Sequence, residues 1–400
     1  MNLFKWLFGN TKRDQFAQLM IAEFRRAGDE RDFQYDKSEF RLKASEGTEV
    51  NLLNLFHEYS NAPRRDRTTV LRGVVQGFMS SNDELPESFE DARSNLRPKI
   101  WTRATFAELE LRQRMEGNTP LDMPLYPLGS HLTTTVVYDL PTAMRSLSQK
   151  DFDNWGVSYY EALEAACQNL TETSVAIAKL GERFYSAISG DSYDSSRILL
   201  KEQISTWDVL GEHIAMVPQR DAMYVTGSKD DTGLKAMLDL TESTIQSEAR
   251  PLSPIPLRLV DGEWKDWKVP RSHELFQRFK ELEMQYLGRL YEDQKELLAA
   301  LHEKEGIEIF VASFSGLRKE SDSELFSYCV WSGDVDTLLP KTHLIMLNSG
   351  DDSMSICEWD RVFEVAGDLF ELDEDLYPVR YLVTDFPSPQ QIEEIGEVEL

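Results

Sequence analysis

A strand-like run precedes a polar segment in RFYSAISGDSYDSSRILL, residues 183–200, and two further strand-like runs follow in HIAMVPQRDAMYVTG, residues 213–227. Their β-branched and aromatic residues are typical of strands. Asp194 or Ser195, both residue types that favour N-caps, precedes a short helical pattern. This part of the chain therefore predicts neighbouring strands joined by a short helix, with polar residues collected at the connections.

Helical and strand patterns alternate along the rest of the chain. Residues 14–27 carry apolar side chains at helical spacing, and alternating residues on either side of 36–38 predict a hairpin. Asp261-Gly262 is the strongest two-residue hairpin signal. Residues 272–304 form one long helical pattern that Gly306 ends. The alternation predicts an α+β fold.

Composition and charge divide the chain into three predicted segments. Residues 1–270 form a mixed α/β N-terminal lobe, with a division into two subdomains near residue 95 as an alternative. Residues 271–305 form a connecting helix, and residues 306–400 form a small acidic α+β domain. We expect the first and last segments to fold as separate bodies.

The long helix has a second interpretation as the seam of a coiled-coil dimer. Asp293 lies on that seam and Gly288 weakens the helix, so the pattern favours a monomer over a homodimer.

Acidic residues outnumber basic ones, 70 to 43, and give a formal net charge of −27. Residues 306–400 contain 21 Asp and Glu against 5 Lys and Arg. Such a surface repels phosphate backbones, so nucleic acid is excluded as an expected partner. The excess favours solubility or a protein partner with a basic surface.

Three scattered cysteines, Cys167, Cys329 and Cys357, are too few for a disulfide framework and indicate a reducing compartment, here the cytoplasm. No apolar run reaches the roughly 20 residues of a transmembrane helix. The apolar residues at 3–8 either contact a membrane surface or pack against the protein's own core.

Recognised catalytic motifs are absent: the sequence contains no Gly-x-Ser-x-Gly elbow, Walker-type loop or Gly-x-Gly-x-x-Gly fingerprint. A zinc site built from Cys329, His343 and Cys357 is conceivable, but buried structural cysteines are the simpler interpretation. The pairs Asp230-Asp231 and Asp351-Asp352 lie next to glycines, as turn residues do. We expect no metal site and no cofactor.

One polar cluster remains as a candidate binding site. Its residues are Tyr193, Asp194, Arg197, Arg220 and Asp221. We expect Asp194 to cap the helix that begins near Ser195, and Arg197 to pair with a carboxylate, most readily Asp221. The alternatives are a cap with a buried ion pair, or a ligand-binding cleft at the strand ends.

Three motifs together resemble those of the YtpQ-like family of uncharacterised bacterial proteins. They are Asn154-Trp155 opening a helix that runs to Asn169-Leu170, Tyr193-Asp194-x-Ser196-Arg197-Ile198-Leu199, and Val217-Pro218-x-x-Asp221. The resemblance covers about residues 14–270. It implies a fold and a bacterial cytoplasmic location, and it implies no activity.

The sequence favours a cytosolic, non-catalytic binding or adaptor protein whose acidic C-terminal domain is the interaction module. The alternative is an enzyme with an unfamiliar site around Tyr193, Asp194, Arg197 and Asp221. A deep pocket lined by these side chains would favour the enzyme, and a fully packed cluster would favour the binding protein. No catalytic residue can be assigned.

Overall fold

A computed structural model describes residues 3–38, 40–44, 49–80, 85–140, 144–172, 177–181, 183–247, 251–319, 324–350 and 354–398. Within these ranges, side chains are described from residue 12 onward, except at residues 49, 51, 53, 54, 57, 58, 61, 80, 180 and 247. Helices and strands alternate throughout these ranges, and the predicted α+β class is confirmed.

The α-helices are α1 (Leu3–Arg26), α2 (Leu52–Asn61), α3 (Arg67–Ser80), α4 (Phe89–Ala92), α5 (Arg103–Glu116), α6 (Gln149–Trp155), α7 (Tyr159–Glu172), α8 (Lys201–Ile204), α9 (Asp231–Ser247), α10 (Phe276–Glu305), α11 (Trp359–Ala366) and α12 (Pro389–Ile395). Short 3-10 helices cover Arg93–Asn95, Ser195–Leu199 and Gly367–Leu369.

The strands are β1 (Phe33–Asp36), β2 (Arg41–Ala44), β3 (Glu49–Asn51), β4 (Leu96–Thr102), β5 (Tyr126–Leu128), β6 (Leu132–Asp139), β7 (Met144–Ser146), β8 (Ile177–Leu180), β9 (Phe184–Ala187), β10 (His213–Gln219), β11 (Ala222–Gly227), β12 (Ser253–Val260), β13 (Glu263–Asp266), β14 (Phe310–Val311), β15 (Ser315–Arg318), β16 (Leu325–Ser332), β17 (Thr337–Pro340), β18 (Leu344–Asn348), β19 (Met354–Glu358), β20 (Glu371–Asp373) and β21 (Arg380–Val383).

The chain divides into two compact units. The first comprises residues 1–98 and 135–173, and the second comprises residues 99–134 and 174–400. In the first unit, α1 and α3 cover the sheet β1-β2-β3, and the predicted hairpin forms with Asp36 opposite Arg41. Phe16, Met20 and Phe24 of α1 are buried in this core, as their helical spacing predicts.

A six-stranded sheet with the order β13-β12-β10-β11-β9-β8 is the centre of the second unit. The predicted hairpin at Asp261-Gly262 is confirmed: Val260 pairs with Glu263, and both turn residues have positive φ, 52° and 76°. Positive φ at both positions characterises the type I′ turn, which Asp-Gly favours.

Two four-stranded sheets follow near the C-terminus, with the orders β14-β17-β21-β20 and β15-β16-β18-β19. Strands β16 and β18 run parallel, while β18 and β19 run antiparallel. Helix α11 packs on this part, where Trp331, Trp359 and Val362 are buried.

The two halves of α10 pack in different cores of the second unit. Leu275, directly before the helix, and Phe279 and Leu282 of its first half join the core of the six-stranded sheet and α9. Leu297 and Leu301 pack with residues of β14 and β17. Gly306 ends the helix in the left-handed conformation (φ 69°), as the sequence predicts.

Independent folding of the predicted segments remains a prediction. Fragments of the chain can test it. Tyr291 and Gln294 of α10 hydrogen-bond to Val379 O and Pro378 O. Because a fragment 306–400 lacks these partners, we expect a fragment 271–400 to melt at a higher temperature by circular dichroism. If fragment 306–400 shows no cooperative melt, the boundary at residue 306 is wrong.

Candidate functional site

Arg197 lies at the centre of the predicted cluster and pairs with two carboxylates. Its Nη1 and Nη2 donate to Asp191 Oδ1 at 2.9 Å and Oδ2 at 2.6 Å, and Nη1 also donates to Asp194 Oδ1 at 3.1 Å. The side chains of Arg197 and Asp194 are each 1% exposed. The sequence correctly indicated a buried arginine pair, but Asp221 as its preferred partner is wrong.

Asp194 closes a loop rather than capping a helix with its side chain. Its carboxylate accepts the backbone N–H groups of Ser189 and Gly190, both at 3.0 Å. The following segment is a 3-10 helix, and Asp194 makes no side-chain cap bond to it. The predicted cap is therefore wrong, because the carboxylate binds backbone groups that precede it.

Arg220 and Asp221 lie at the turn between β10 and β11 and pair with each other at 3.2 Å. Their side chains are 58% and 40% exposed. Only the backbone of this turn reaches the cluster, where Arg220 O accepts the Ser195 N–H at 3.0 Å. The fold thus brings the two predicted loops together without joining their charges.

Lys99 is a member of the cluster that the sequence did not indicate. Its Nζ donates to Ser192 O at 2.9 Å and lies 5.3 Å from the centre of the Tyr193 ring. Burial raises the pKa of Asp191, but hydrogen bonds from Arg197 and Tyr193 N–H outweigh this effect, and the net pKa lies below the ordinary value. These contacts describe a packed charge network.

Three buried polar atoms in this stretch, Ser195 Oγ, Ser196 Oγ and Arg197 Nε, have no hydrogen-bond partner within the described ranges. They belong to consecutive residues of a 3-10 helix, where side chains point about 120° apart. They therefore do not converge on one ligand.

The conceivable zinc ligands are not brought together. Cys329 and Cys357 pair with Ile345 from opposite sides of β18, so they lie two strand spacings apart, roughly 10 Å. Ser327 Oγ is 2.6 Å from His343 Nδ1. Burial raises the pKa of the Cys329 thiol to about 12 and of the Cys357 thiol to about 11, which disfavours the thiolate that a metal needs.

Asp230 and Asp231 each have a partner within the protein. Asp230 accepts the Gly233 N–H at 2.9 Å, and Asp231 lies 3.1 Å from His273 Nε2. The local bond of Asp230 agrees with the turn interpretation. Asp351 and Asp352 lie outside the described residues. In the part of the chain that is described, no group of three His, Cys, Asp or Glu side chains is arranged to hold a metal ion.

Arg380 forms a second buried cationic centre, although no carboxylate pairs with it within the described ranges. Its Nε donates to Gln294 Oε1 at 2.6 Å, Nη1 to Ala312 O and Leu338 O at 2.8 and 3.1 Å, and Nη2 to Tyr291 O at 3.2 Å. Burial lowers its pKa to about 10, so it stays charged at neutral pH. This centre joins α10 to Ala312, directly after β14, and to β17 and β21.

His131 forms a third polar cluster with Tyr377, 246 residues away. His131 Nδ1 lies 2.6 Å from Tyr377 Oη, and His131 Nε2 lies 3.8 Å from Asp266 Oδ2. Asp266 Oδ1 accepts the Ser130 N–H at 2.9 Å. Gly129 permits this approach, because its φ is +61° and a Cβ there would lie 2.5 Å from Asp266 Oδ1.

We expect protonation of His131 to destabilise the protein. Burial lowers the pKa of His131. This effect outweighs the negative charges of Asp266 and Glu283, which raise the pKa. The folded state therefore favours neutral imidazole, and its stability is lost as pH falls below about 6.5, the ordinary pKa of histidine. Urea denaturation measures the free energy of unfolding between about pH 8 and pH 5. As the pH falls, this free energy should decrease less for His131→Gln than for the wild type. An equal decline would contradict this assignment.

No helix of the described residues is long and apolar enough to cross a membrane. The apolar side chains at residues 3–8, for which membrane contact is the alternative, lie outside the described side chains.

Relatives of this chain occur in Listeria and Staphylococcus species and are named UPF0354 proteins. The one from Listeria innocua is 22% identical over 248 residues, which are 58% of this chain and 87% of the relative. Those from Listeria welshimeri and Staphylococcus aureus are 20% and 21% identical, each over 58% of this chain and over 87% and 81% of the relative.

No family model matches the chain. No solved structure matches it either. The UPF0354 proteins and the YtpQ-like proteins are the same uncharacterised family, so the resemblance inferred from the motifs is confirmed at about 20% identity over 58% of the chain.

Proposed function

We propose that this protein is a non-catalytic binding or adaptor protein that recognises a basic partner protein through its acidic residues 306–400. A bacterial cytoplasmic location is part of the proposal, and the three free thiols support it.

The observation that carries the proposal is a set of exposed carboxylates without cationic partners. Residues 358–375 contain eight Asp and Glu and one basic residue, Arg361. Six of these acidic residues are exposed and make no ion pair within the described ranges; they are Glu358, Asp360, Asp368, Glu371, Glu374 and Asp375. Unpaired surface charge of one sign attracts a complementary partner and raises its rate of association.

Packing of the central cluster also supports binding over catalysis. Tyr193, Asp194 and Arg197 are buried among their own partners, and the Arg197 charge is already matched by carboxylates. Two surface clefts, of about 500 and 390 Å³, are lined by residues 25–32 and by residues of α9 and α10. Neither cleft includes a residue of the cluster, so neither supplies the enzyme alternative with a substrate pocket.

Affinity capture from the native cell with chemical cross-linking tests the proposal. The test variant carries Asp360→Asn, Asp368→Asn, Glu371→Gln and Glu374→Gln. The control carries Glu87→Gln, Glu90→Gln, Glu164→Gln and Glu172→Gln, which change the net charge equally at exposed residues of the first unit. We expect basic partners that are captured by the wild type and the control and lost by the test variant. Equal capture by all three would contradict the proposal.

We expect the protein not to bind nucleic acid, because acidic residues repel phosphates and 16 of its 27 net negative charges lie after residue 305. A gel shift with duplex and single-stranded probes at moderate salt should show no complex. Micromolar binding that weakens with salt would contradict this expectation.

A further inference from the structure

Aromatic side chains in the C-terminal part of the second unit form a continuous set from the core to the surface. The Phe370 ring lies 5.0 Å from the buried Trp331 ring and 5.5 Å from the buried Trp359 ring. Phe363 of α11 lies 5.4 Å from Phe370 and 5.9 Å from Tyr381 of β21. The buried end of this set stabilises the fold.

The outer end of the set is exposed. Phe363 and Leu372 are each 43% exposed, while Phe370 and Tyr381 are half-buried beneath them. Leu372 lies directly opposite Tyr381 on the neighbouring antiparallel strand, so both side chains project from the same face of the sheet. Phe363, Phe370, Leu372 and Tyr381 therefore form one apolar surface, here called the α11–β20 face.

Two carboxylates, those of Asp360 and Asp368, lie beside this face. Asp360 lies three residues before Phe363 on α11, so the two side chains are neighbours on the helix surface. Asp368 lies in the 3-10 helix just before Phe370. Arg361, the basic residue of this stretch, is already paired with Glu364 and Glu394.

We propose that the α11–β20 face docks a basic amphipathic segment of a partner protein, with its apolar side chains on Phe363 and Leu372 and its lysines or arginines at the carboxylate rim. This inference rests on the proposed function and adds the surface and the chemistry of the occupant. An apolar centre with a charged rim is the usual anatomy of a protein interface. β20 is also the last strand in its sheet, so its outer edge has no neighbouring strand within the described ranges.

Charge argues against the two other occupants of an apolar surface. A two-fold contact with a second copy would place the α11–β20 face against itself and bring the two acidic rims together, which is unfavourable. Bacterial membranes expose anionic lipids that repel the same rim. Only a cationic occupant gains from both the apolar centre and the rim.

Binding of synthetic peptides to the full chain tests this inference. The probe is a fluorescent amphipathic peptide with leucines on one face and lysines on the other. A matched peptide has serines in place of the leucines. Because the leucines bury apolar surface, we expect the Lys/Leu peptide to bind at least about tenfold more tightly by fluorescence anisotropy. Equal affinity of the two peptides would overturn the inference, since charge alone would then explain binding.

Substitutions at the face locate the binding. Phe363→Ser with Leu372→Ser should remove the preference for the Lys/Leu peptide. The control is Leu109→Ser on α5, at a side chain of similar exposure, 39%, and it should keep the preference. Hydrogen exchange of the wild type gives a result that does not depend on folding of the variants: the Lys/Leu peptide should protect residues 359–373. Protection elsewhere overturns the inference.

Failure of the docking surface and failure of the proposed function give different results. Cellular partners that the quadruple carboxylate variant loses, but Phe363→Ser with Leu372→Ser retains, would overturn only the docking surface. If both variants retain all of the cellular partners, the proposed function is overturned as well. Light scattering tests whether a second copy of the chain binds this face. If the wild type is a dimer and Phe363→Ser with Leu372→Ser is a monomer, the proposed occupant is overturned.

Discussion

Replacement of Arg380 by leucine should lower the free energy of unfolding by roughly 3 kcal/mol or more. The guanidinium is fully buried and donates to Gln294, Ala312, Leu338 and Tyr291. Leu338 O and Tyr291 O would still accept hydrogen bonds from other backbone N–H groups. Gln294 Oε1 and Ala312 O would lose the hydrogen bond that Arg380 donates to them. Each buried acceptor left unpaired costs about 1–3 kcal/mol. The cavity left by the larger side chain adds to this loss.

Urea denaturation followed by tryptophan fluorescence measures this change, since Trp331 and Trp359 are buried in the same C-terminal part of the chain. The matched control is Arg361→Leu, whose partly exposed pair with Glu364 should contribute less than about 1 kcal/mol. Arg380→Lys should fall between the wild type and the leucine variant, because a single ammonium cannot reach all four acceptors. Equal effects of Arg380→Leu and Arg361→Leu would contradict a structural role for the guanidinium.

Replacement of Arg197 by alanine should cost about 3–5 kcal/mol, the range for removing one partner of a buried ion pair. The variant leaves Asp191 and Asp194 without their cation, and Asp194 is buried. Chemical denaturation checks the value. The control Arg220→Ala breaks an exposed pair with Asp221 and should change stability by less than about 1 kcal/mol.

A double-mutant cycle separates the pair from its surroundings. Arg197→Ala combined with Asp191→Asn and Asp194→Asn should be less destabilised than the sum of the separate changes, because the uncompensated charges are gone. If Arg197→Ala instead leaves the melting temperature unchanged and abolishes binding of a captured partner or ligand, the cluster is a functional site and the packed-network description is wrong.

Short-range signals in the sequence were sufficient for most of the local structure. The Asp261-Gly262 turn, the hairpin around Asp36 and the end of α10 at Gly306 are all confirmed. Each depends on dihedral preferences or side-chain spacing within a few residues. The buried ion pair of Arg197 was also indicated, because an arginine that is buried beside aspartates needs a counter-charge.

The partners of individual side chains could not be predicted in the same way. Arg197 was assigned to Asp221, but the fold of the 189–194 loop places Asp191 and Asp194 against it instead. No motif indicated the Arg380 centre or the contact between His131 and Tyr377, which are 246 residues apart. Hydrophobic periodicity shows which face of a helix or strand is buried. It does not show which buried faces pack against each other.

The sequence by itself determined the α+β class, the elements around each turn, the family resemblance and the acidic charge of residues 306–400. Those properties depend on residue types and on spacing within one element. Only the tertiary structure decided that the predicted cluster is packed, that the cysteines lie apart on β16 and β19, and that Phe363 and Leu372 share one exposed face with acidic neighbours. These are properties of side chains from separate elements, and their distances are set by sheet register and helix packing.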